Sequence, residues 1–210
     1  MKNLLYFIMA AMILPVSCTA KSEPEVTEEE SKYPNDVIEA IMERRSIRKY
    51  LDTPVEHEKL ELVAKCGINA PNGMNAQNWA VRVVEDSTFI SETTELFKQA
   101  NPEMVSRDEN FKNMYRNAPN IIFVATPKNK GVVDAGMLGE NMMLAAQSLG
   151  LGTCCLGGPV GFFYTEAGKP YLDKLELPEG YVVCFILAIG YPDESPAAKP
   201  RDEAKIQYIQ

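Results

Sequence analysis

The octapeptide Glu43–Tyr50 (ERRSIRKY) places three arginines, a lysine and a serine within eight residues. It follows an amphipathic stretch that predicts a helix, so the chain turns where it presents these cations. A guanidinium group offers a planar fork of N–H donors that suits phosphate or carboxylate oxygens, and a serine hydroxyl adds another donor. The octapeptide therefore indicates an anion site, although a solvated basic helix end has the same composition.

A second stretch, Ala70–Trp79 (APNGMNAQNW), predicts a turn between a helix and a strand. Pro71, Asn72 and Gly73 are turn-forming residues, and a glycine lets the backbone approach a planar ring closely. The Asn75 amide can both donate and accept hydrogen bonds, as a heterocycle edge or a hydroxyl group requires. A plain helix-to-strand turn explains the same residues.

Two later segments complete the pattern. The sequence GLGTCCLGG of Gly150–Gly158 predicts a short strand over Gly152–Leu156 that ends at the glycine pair. Near the C-terminus, Pro200 fixes the backbone between Lys199 and Arg201, which helps two cations to converge on one anion. Taken alone, this last segment also fits a solvated tail.

In this order, the octapeptide, the two Gly-rich stretches and the C-terminal cation pair resemble the FMN-dependent nitroreductase family over about Pro34 to Arg201. The resemblance implies an FMN site whose phosphate and ribityl chain are held by Arg44, Arg45, Ser46, Arg48, Lys199 and Arg201. It implies a loop that reaches the flavin of the partner subunit, formed by Pro71, Asn72, Gly73 and Asn75. It also implies a segment alongside the isoalloxazine ring, with backbone N–H groups near N5, formed by Cys155, Leu156, Gly157 and Gly158.

The sequence departs from the family pattern at three positions. Asn72 stands where serine or threonine is usual, and Asn78 stands where proline usually precedes Trp79. Many relatives have tryptophan where Cys155 stands. The first two departures bear on the substrate pocket more than on the cofactor.

The fold that the resemblance implies is α+β: a mixed, mostly antiparallel sheet of four or five strands flanked by helices, in an intertwined homodimer. The residues themselves predict covered strands at Ile121–Thr126 and Tyr181–Ile189, and a buried central helix at Val132–Leu149. An N-terminal helix capped by Asn35 or Asp36 is predicted to bury Val37, Ile38, Ile41 and Met42. The apolar residues between Ile206 and Ile209 predict an arm that packs on a partner.

The function that the resemblance implies is an FMN oxidoreductase of the NAD(P)H-dependent type. Reduced flavin passes hydride or electron pairs to a small acceptor, such as a nitroaromatic, a quinone or an enone, and no side chain acts as a nucleophile. A lipoprotein that binds a phosphate or nucleotide without redox activity is the alternative, and it would purify without flavin colour.

Composition excludes several other classes. The 210-residue chain has a formal net charge of −8, which argues against binding to nucleic acid. The single histidine, His57, argues against a histidine-rich metal site and a Ser-His-Asp triad. The cysteines at positions 66, 154, 155 and 184 have apolar neighbours and are predicted to be buried free thiols, with no zinc or iron–sulfur spacing.

The N-terminus predicts export. Lys2 precedes an apolar run, Leu4–Leu14, that is too short to span a bilayer and has the length of a signal-peptide core. Ser17 and Cys18 resemble a bacterial lipoprotein cleavage box, whereas cleavage after Ala20 is the rival. Residues 1–17 are thus predicted as a signal peptide, 18–33 as a flexible acidic tether and 34–210 as the domain. An exported protein anchored by a lipid on Cys18 would meet little NAD(P)H, so its physiological donor is expected to be a membrane quinol or redox protein, while NAD(P)H still reduces the flavin in vitro.

Overall fold

The computed structural model describes residues 32–106 and 111–210. Its fold is built on a four-stranded sheet in which every ladder is antiparallel. Strands β1 (Ala80–Val84), β2 (Asn120–Pro127), β3 (Gly152–Leu156) and β4 (Tyr181–Gly190) lie in the order β1-β2-β4-β3. Ser46 adds one parallel bridge to Thr153 at the β3 edge. The predicted mixed, mostly antiparallel α+β fold is therefore confirmed.

Six α-helices accompany the sheet in the described part of the chain. They are α1 (Asp36–Glu43), α2 (His57–Ile68), α3 (Ser87–Ala100), α4 (Pro102–Ser106), α5 (Val132–Ser148) and α6 (Lys169–Asp173). Short 3-10 turns cover Gly73–Asn75, Gly158–Tyr164 and Glu203–Lys205. Tyr33–Gln210 forms one compact unit.

The side chains of the sheet alternate between two apolar layers, as the two-residue period of a strand requires. Ile122 and Val124 of β2 pack in the layer that contains Leu60 and Val63 of α2 and Leu138 of α5. Their neighbours Ile121 and Phe123 point the other way, into a layer that contains Phe89 and Phe97 of α3 and Phe163. Burying both faces explains why the central strands are continuous apolar runs.

Helix α1 differs from its prediction. Asn35 caps it as expected, because its Oδ1 accepts a hydrogen bond from Ile38 N at 3.0 Å. None of its residues is buried, however, and Val37 is 65% exposed, Ile41 50% and Met42 51%. The predicted buried stripe is therefore wrong for a single protomer, since no element in the described part of the chain covers the apolar face.

The apolar residues at the end of the C-terminal arm, residues 193–210, are also uncovered by the described part of the protomer. The arm has no regular secondary structure apart from the short turn at Glu203–Lys205, and Ile206, Tyr208 and Ile209 are 62%, 85% and 92% exposed. Together with α1, the arm leaves two apolar surfaces open to a further chain.

The predicted signal peptide, Cys18 and most of the tether lie outside the described residues. Within residues 32–106 and 111–210, the helices are all too short or too polar to cross a membrane.

Gly152 is where the octapeptide packs on the sheet. A Cβ atom added there would lie 2.7 Å from Ile47 Cγ1 and 2.8 Å from Ile47 Cβ, and a β-branched side chain has few rotamers with which to retreat. The absence of a side chain at Gly152 therefore lets Ile47, and with it the arginines on both sides, lie against β3.

We expect Gly152→Ala to lower the free energy of unfolding by about 1–3 kcal/mol through overpacking, measured by chemical denaturation. Gly136→Ala is the matched control, because a Cβ at this exposed position of α5 meets nothing within 4 Å. That control is expected to be neutral or to stabilise by up to about 1 kcal/mol. Equal stability of the two variants would contradict the tight contact.

Candidate functional site

The octapeptide is hydrogen-bonded to the outer edge of β3. Ile47 N donates to Thr153 O at 2.9 Å, and the Ser46 bridge lies beside it. Ile47 is only 8% exposed, so its side chain fixes the segment while Arg48 on its C-terminal side stays exposed. This arrangement anchors the backbone of a cationic segment on the rigid sheet.

The same segment then pairs with the chain that leaves β4. Leu51 N donates to Tyr191 O and Asp193 N donates to Lys49 O, both at 2.9 Å. Beyond this ladder, the Arg48 N–H donates to a carboxylate oxygen of Glu194. The basic segment is thus held between β3 and the continuation of β4.

A polar network supports that ladder from the side. Tyr191 Oη donates to Glu56 Oε2 and accepts from Lys59 Nζ, with both distances at 2.6 Å. The hydrogen bond from Tyr191 lowers the pKa of Glu56 to about 2, so this carboxylate stays ionised across the physiological range.

Two of the three arginine side chains already face a carboxylate. Arg44 Nε lies 3.4 Å from Glu140 Oε1, yet this buried atom makes no hydrogen bond in the described chain. Arg45 Nη2 lies 3.8 Å from Glu43 Oε2, and its Nη1 donates to the carbonyls of Met42 and Arg44 at 2.6 and 2.9 Å. Arg48 Nη1 donates to Ser46 O at 3.0 Å. Of these groups, Arg44 Nε therefore has hydrogen-bonding capacity left for a ligand.

A cavity of about 410 Å³ opens beside Arg45. Its walls come from the end of α1, the start of β3 and the first part of the C-terminal arm, including Ser195–Ala198. Lys199 follows directly, and Arg201 is exposed, with its Nη1 donating to Lys199 O at 3.1 Å. The arm that carries the C-terminal cation pair thus begins in the wall of the cavity beside Arg45.

The end of β3 differs in part from its prediction. Cys154 is buried, but Cys155 is exposed, because the layer that buries Thr153 and Leu187 does not extend over it. The prediction that all four of these later cysteines are buried is therefore wrong for Cys155, and Cys66 and Cys184 are only half-buried. Leu156 is buried, whereas Gly157 and Gly158 are exposed, and a Cβ at either glycine would meet nothing within 4 Å.

Burial shapes the ionisation of this end of the sheet. It raises the pKa of the Cys154 thiol, and partial desolvation by neighbouring groups raises the pKa of Cys155 even though this residue is exposed, so neither is a ready thiolate nucleophile at neutral pH. Burial also raises the pKa of Tyr50, whose hydroxyl donates to Ile47 O at 2.6 Å. Tyr50, Cys154 and Cys155 thus stay neutral at physiological pH, and none of the three is an activated nucleophile.

One cation that acts on Cys154 of β3, Arg116, was not predicted from the sequence. Arg116 acts with Arg48 in lowering the pKa of Cys154 against the effect of burial, which places both guanidinium groups near this thiol. Arg116 has a left-handed φ of 60°, followed by Asn117 at 64°. Only the Arg-Asn pair before Ala118 hinted at this conformation, because asparagine tolerates positive φ values.

The Ala70–Trp79 loop is strained. Met74, Asn75 and Gln77 adopt positive φ values of 55°, 52° and 49°, and Asn72 Oδ1 accepts from Gln77 N at 2.8 Å. Left-handed conformations of non-glycine residues cost about 1–3 kcal/mol each and cluster at ligand sites. Pro71, Gly73 and Asn75 are exposed, while Asn72 is half-buried.

The predicted site residues fall into two groups that one protomer keeps apart. The loop leads into β1 at one edge of the sheet, whereas the octapeptide lies on β3 at the other edge. Three strand spacings separate these edges, or about 14 Å. The structure therefore brings Arg44–Arg48 together with Cys155–Gly158, but it does not bring Pro71–Asn75 to them.

Comparison with known proteins identifies the family to which this chain is similar. Residues 41–191 match the sequence profile of the nitroreductase family. The chain is 31% identical over 178 residues to an NADPH-flavin oxidoreductase of Vibrio harveyi, covering 82% of this chain and 72% of that protein. It is 30% identical over 185 residues to an FMN reductase [NAD(P)H] of Bacillus subtilis, covering 80% of this chain and 70% of that protein.

Solved structures agree with the sequence match. A nitroreductase with bound FMN from Desulfitobacterium hafniense superposes with a TM-score of 0.75 at 26% identity, covering 84% of this chain and 99% of that one. One from Bacteroides fragilis, also with bound FMN, gives a TM-score of 0.71 at 26% identity, covering 84% and 100%. On the match over most of its length, the chain belongs to the nitroreductase family.

Proposed function

We propose that this protein binds FMN along the β3 edge and passes reducing equivalents to a small organic acceptor. As a member of the nitroreductase family with FMN-reductase relatives, it is a flavin-dependent oxidoreductase. The observation that carries the proposal is the octapeptide on β3, whose cations lie at the strand that ends in the open Gly157-Gly158 pair.

The residues present fit FMN. The buried Arg44 Nε lacks a hydrogen bond among the described residues, and a phosphate or ribityl oxygen would supply one. Glu43, Glu140 and Glu194 offset much of the octapeptide's positive charge, so Lys199 and Arg201 provide the excess that a phosphate dianion needs. Beside Gly157 and Gly158 there is open space for a planar ring.

The roles of the chain's own residues follow from this placement. Arg44, Arg45, Ser46 and Arg48 bind and orient the phosphate and ribityl chain, and Lys199 and Arg201 close over the phosphate. Leu156, Gly157, Gly158 and the small side chain of Cys155 flank the ring without an acid or base of their own. When bound, reduced FMN supplies hydride or electron pairs to the acceptor.

The second group of residues supports a homodimer. Because the Pro71–Asn75 loop lies at the opposite edge of the sheet from the octapeptide, we propose that a second copy delivers it to the flavin. The uncovered apolar face of α1 and the exposed arm residues Ile206, Tyr208 and Ile209 offer the surfaces that an intertwined pair would bury.

The acceptor and donor are proposed as classes. A nitroaromatic, a quinone or an enone can stack on a flavin ring, and the site offers no charged side chain that selects among them. NAD(P)H is the donor indicated by the names of the relatives. If the chain is exported, a membrane quinol or redox protein takes this role, while NAD(P)H still reduces the flavin in vitro.

The purified protein is expected to show flavin absorbance bands, and Arg44→Ala and Arg48→Ala are expected to weaken FMN binding. Each substitution removes a charge-assisted contact of about 1.5–3 kcal/mol, which corresponds to a Kd for FMN that is roughly 10- to 150-fold higher. Fluorescence titration measures this Kd. Lys169→Ala, which removes a cation paired with Asp173 on α6, is the control and should bind normally. Unchanged affinity in both arginine variants would reject the assignment.

Subunit complementation tests the shared site. We expect two variants to be defective in FMN binding when each is alone. One carries both Arg44→Ala and Arg48→Ala, and the other carries Asn75→Ala. After the two are mixed and re-equilibrated, half of the dimers are mixed and each regains one intact site, so about a quarter of the sites should recover. No recovery, in a mixture shown to exchange subunits, would place the loop and the arginines in the same chain's site.

We also propose that the protein is exported and held on a membrane by a lipid on Cys18. The support is the order of Lys2, the apolar run, Ser17-Cys18 and an acidic tether. Cys18→Ala is expected to turn a membrane-bound protein soluble on fractionation. A wild-type protein that fractionates with cytoplasmic enzymes and retains Met1 would overturn the proposal.

A further inference from the structure

The C-terminal arm has a single side-chain attachment point among the residues described. The backbone ladder between Lys49–Leu51 and Tyr191–Asp193 ends at Asp193, and the next contact is the Glu194 carboxylate, which accepts the Arg48 N–H. After Glu194, the hydrogen bonds of the described arm are all local: Arg201 to Lys199, Ala204 to Asp202, Lys205 to Asp202 and Ile206 to Glu203.

Glu194 lies at the point where the C-terminal arm leaves the backbone ladder. It lines the cavity beside Arg45 together with Ser195–Ala198, and its charge acts on both Tyr50 and Cys154. It therefore lies half-buried at the cavity wall, next to the octapeptide. The half-buried carboxylate ties the arm to the backbone of the arginine that the proposed site uses.

The chain between Glu194 and the cation pair is short and stiff. Lys199 is five residues beyond Glu194, and Pro196 and Pro200 restrict the backbone on the way. Five residues span at most about 17 Å when fully extended. A change in the exit direction at Glu194 therefore moves Lys199 and Arg201 relative to any phosphate held by the arginines.

We propose that Glu194 is a positioning residue that fixes the exit of the C-terminal arm and so delivers Lys199 and Arg201 to the anion held by the octapeptide. This inference rests on the proposed FMN site and adds a carboxylate to it that binds no ligand itself. A carboxylate near a dianion would by charge alone weaken binding, so its orienting contact has to outweigh that repulsion.

The opposing effects of contact and charge give a sharp test. Glu194→Ala removes both the acceptor and the charge, whereas the amide oxygen of Glu194→Gln keeps the acceptor and loses only the charge. We expect Glu194→Ala to bind FMN roughly tenfold more weakly, and Glu194→Gln to bind as tightly as wild type or better. Asp173→Ala is the control, because it removes a carboxylate that pairs with Lys169 on α6; it should not weaken binding.

Coupling to the cation pair separates orientation from a general loss of structure. Arg201→Ala is expected to weaken FMN binding roughly tenfold in the wild-type background but less than about threefold in Glu194→Ala, because the arm is already misdirected. Full additivity of the two substitutions, or an Ala variant that binds as tightly as wild type, would overturn the inference while leaving the FMN site standing.

A readout without flavin distinguishes this failure from failure of the proposed function. In flavin-free protein, amide exchange at Arg48 should accelerate in Glu194→Ala and stay slow in Glu194→Gln and Asp173→Ala. Trypsin should also cut faster after Arg201 in Glu194→Ala. If amide exchange and cleavage are unchanged in Glu194→Ala, Glu194 does not anchor the arm, whatever the protein binds. If they change but the wild-type protein binds no FMN, the cofactor assignment is rejected and the delivery role with it.

Discussion

The hydrogen bond from Ile47 N to Thr153 O is the constraint on which the functional end of this molecule depends. It places a cationic segment on the open edge of β3, and Gly152 leaves the space that Ile47 needs. The ladder to the chain beyond β4 then fixes the other side of the segment. A loop would leave the arginines with many conformations, whereas two sheet-like attachments let a ligand meet them already ordered, which lowers the entropic cost of binding.

Much of this arrangement was predictable from local patterns. Strand β3 was predicted within its observed bounds, the cap of α1 was predicted at Asn35 or Asp36, and the long apolar runs predicted β2, α5 and β4 to within a residue or two. These features depend on short-range periodicity and capping, which a single sequence records. The anion site was predicted from residue type, and the structure places its octapeptide part along β3.

The failures share a physical cause, which is that burial depends on elements far away in the chain. The stripe on α1 is apolar and correctly spaced, but no element among residues 32–106 and 111–210 covers it. Cys155 has apolar neighbours in sequence, yet the layer over β3 stops before it. Glu140 and Glu194 gave no signal at all, because their proximity to Arg44 and Arg48 arises only when α5 and the C-terminal arm pack against the octapeptide.

The pairing of the octapeptide with carboxylates has a kinetic consequence. A chain with a formal net charge of −8 repels a dianion at long range, and arginines already flanked by Glu43, Glu140 and Glu194 project little positive field to offset that repulsion. Capture of a phosphate ligand would then gain little from electrostatic steering and would proceed at the slower rate of unsteered encounters. Added salt would screen the repulsion of the whole chain as much as the attraction of the arm, so association would depend only weakly on ionic strength.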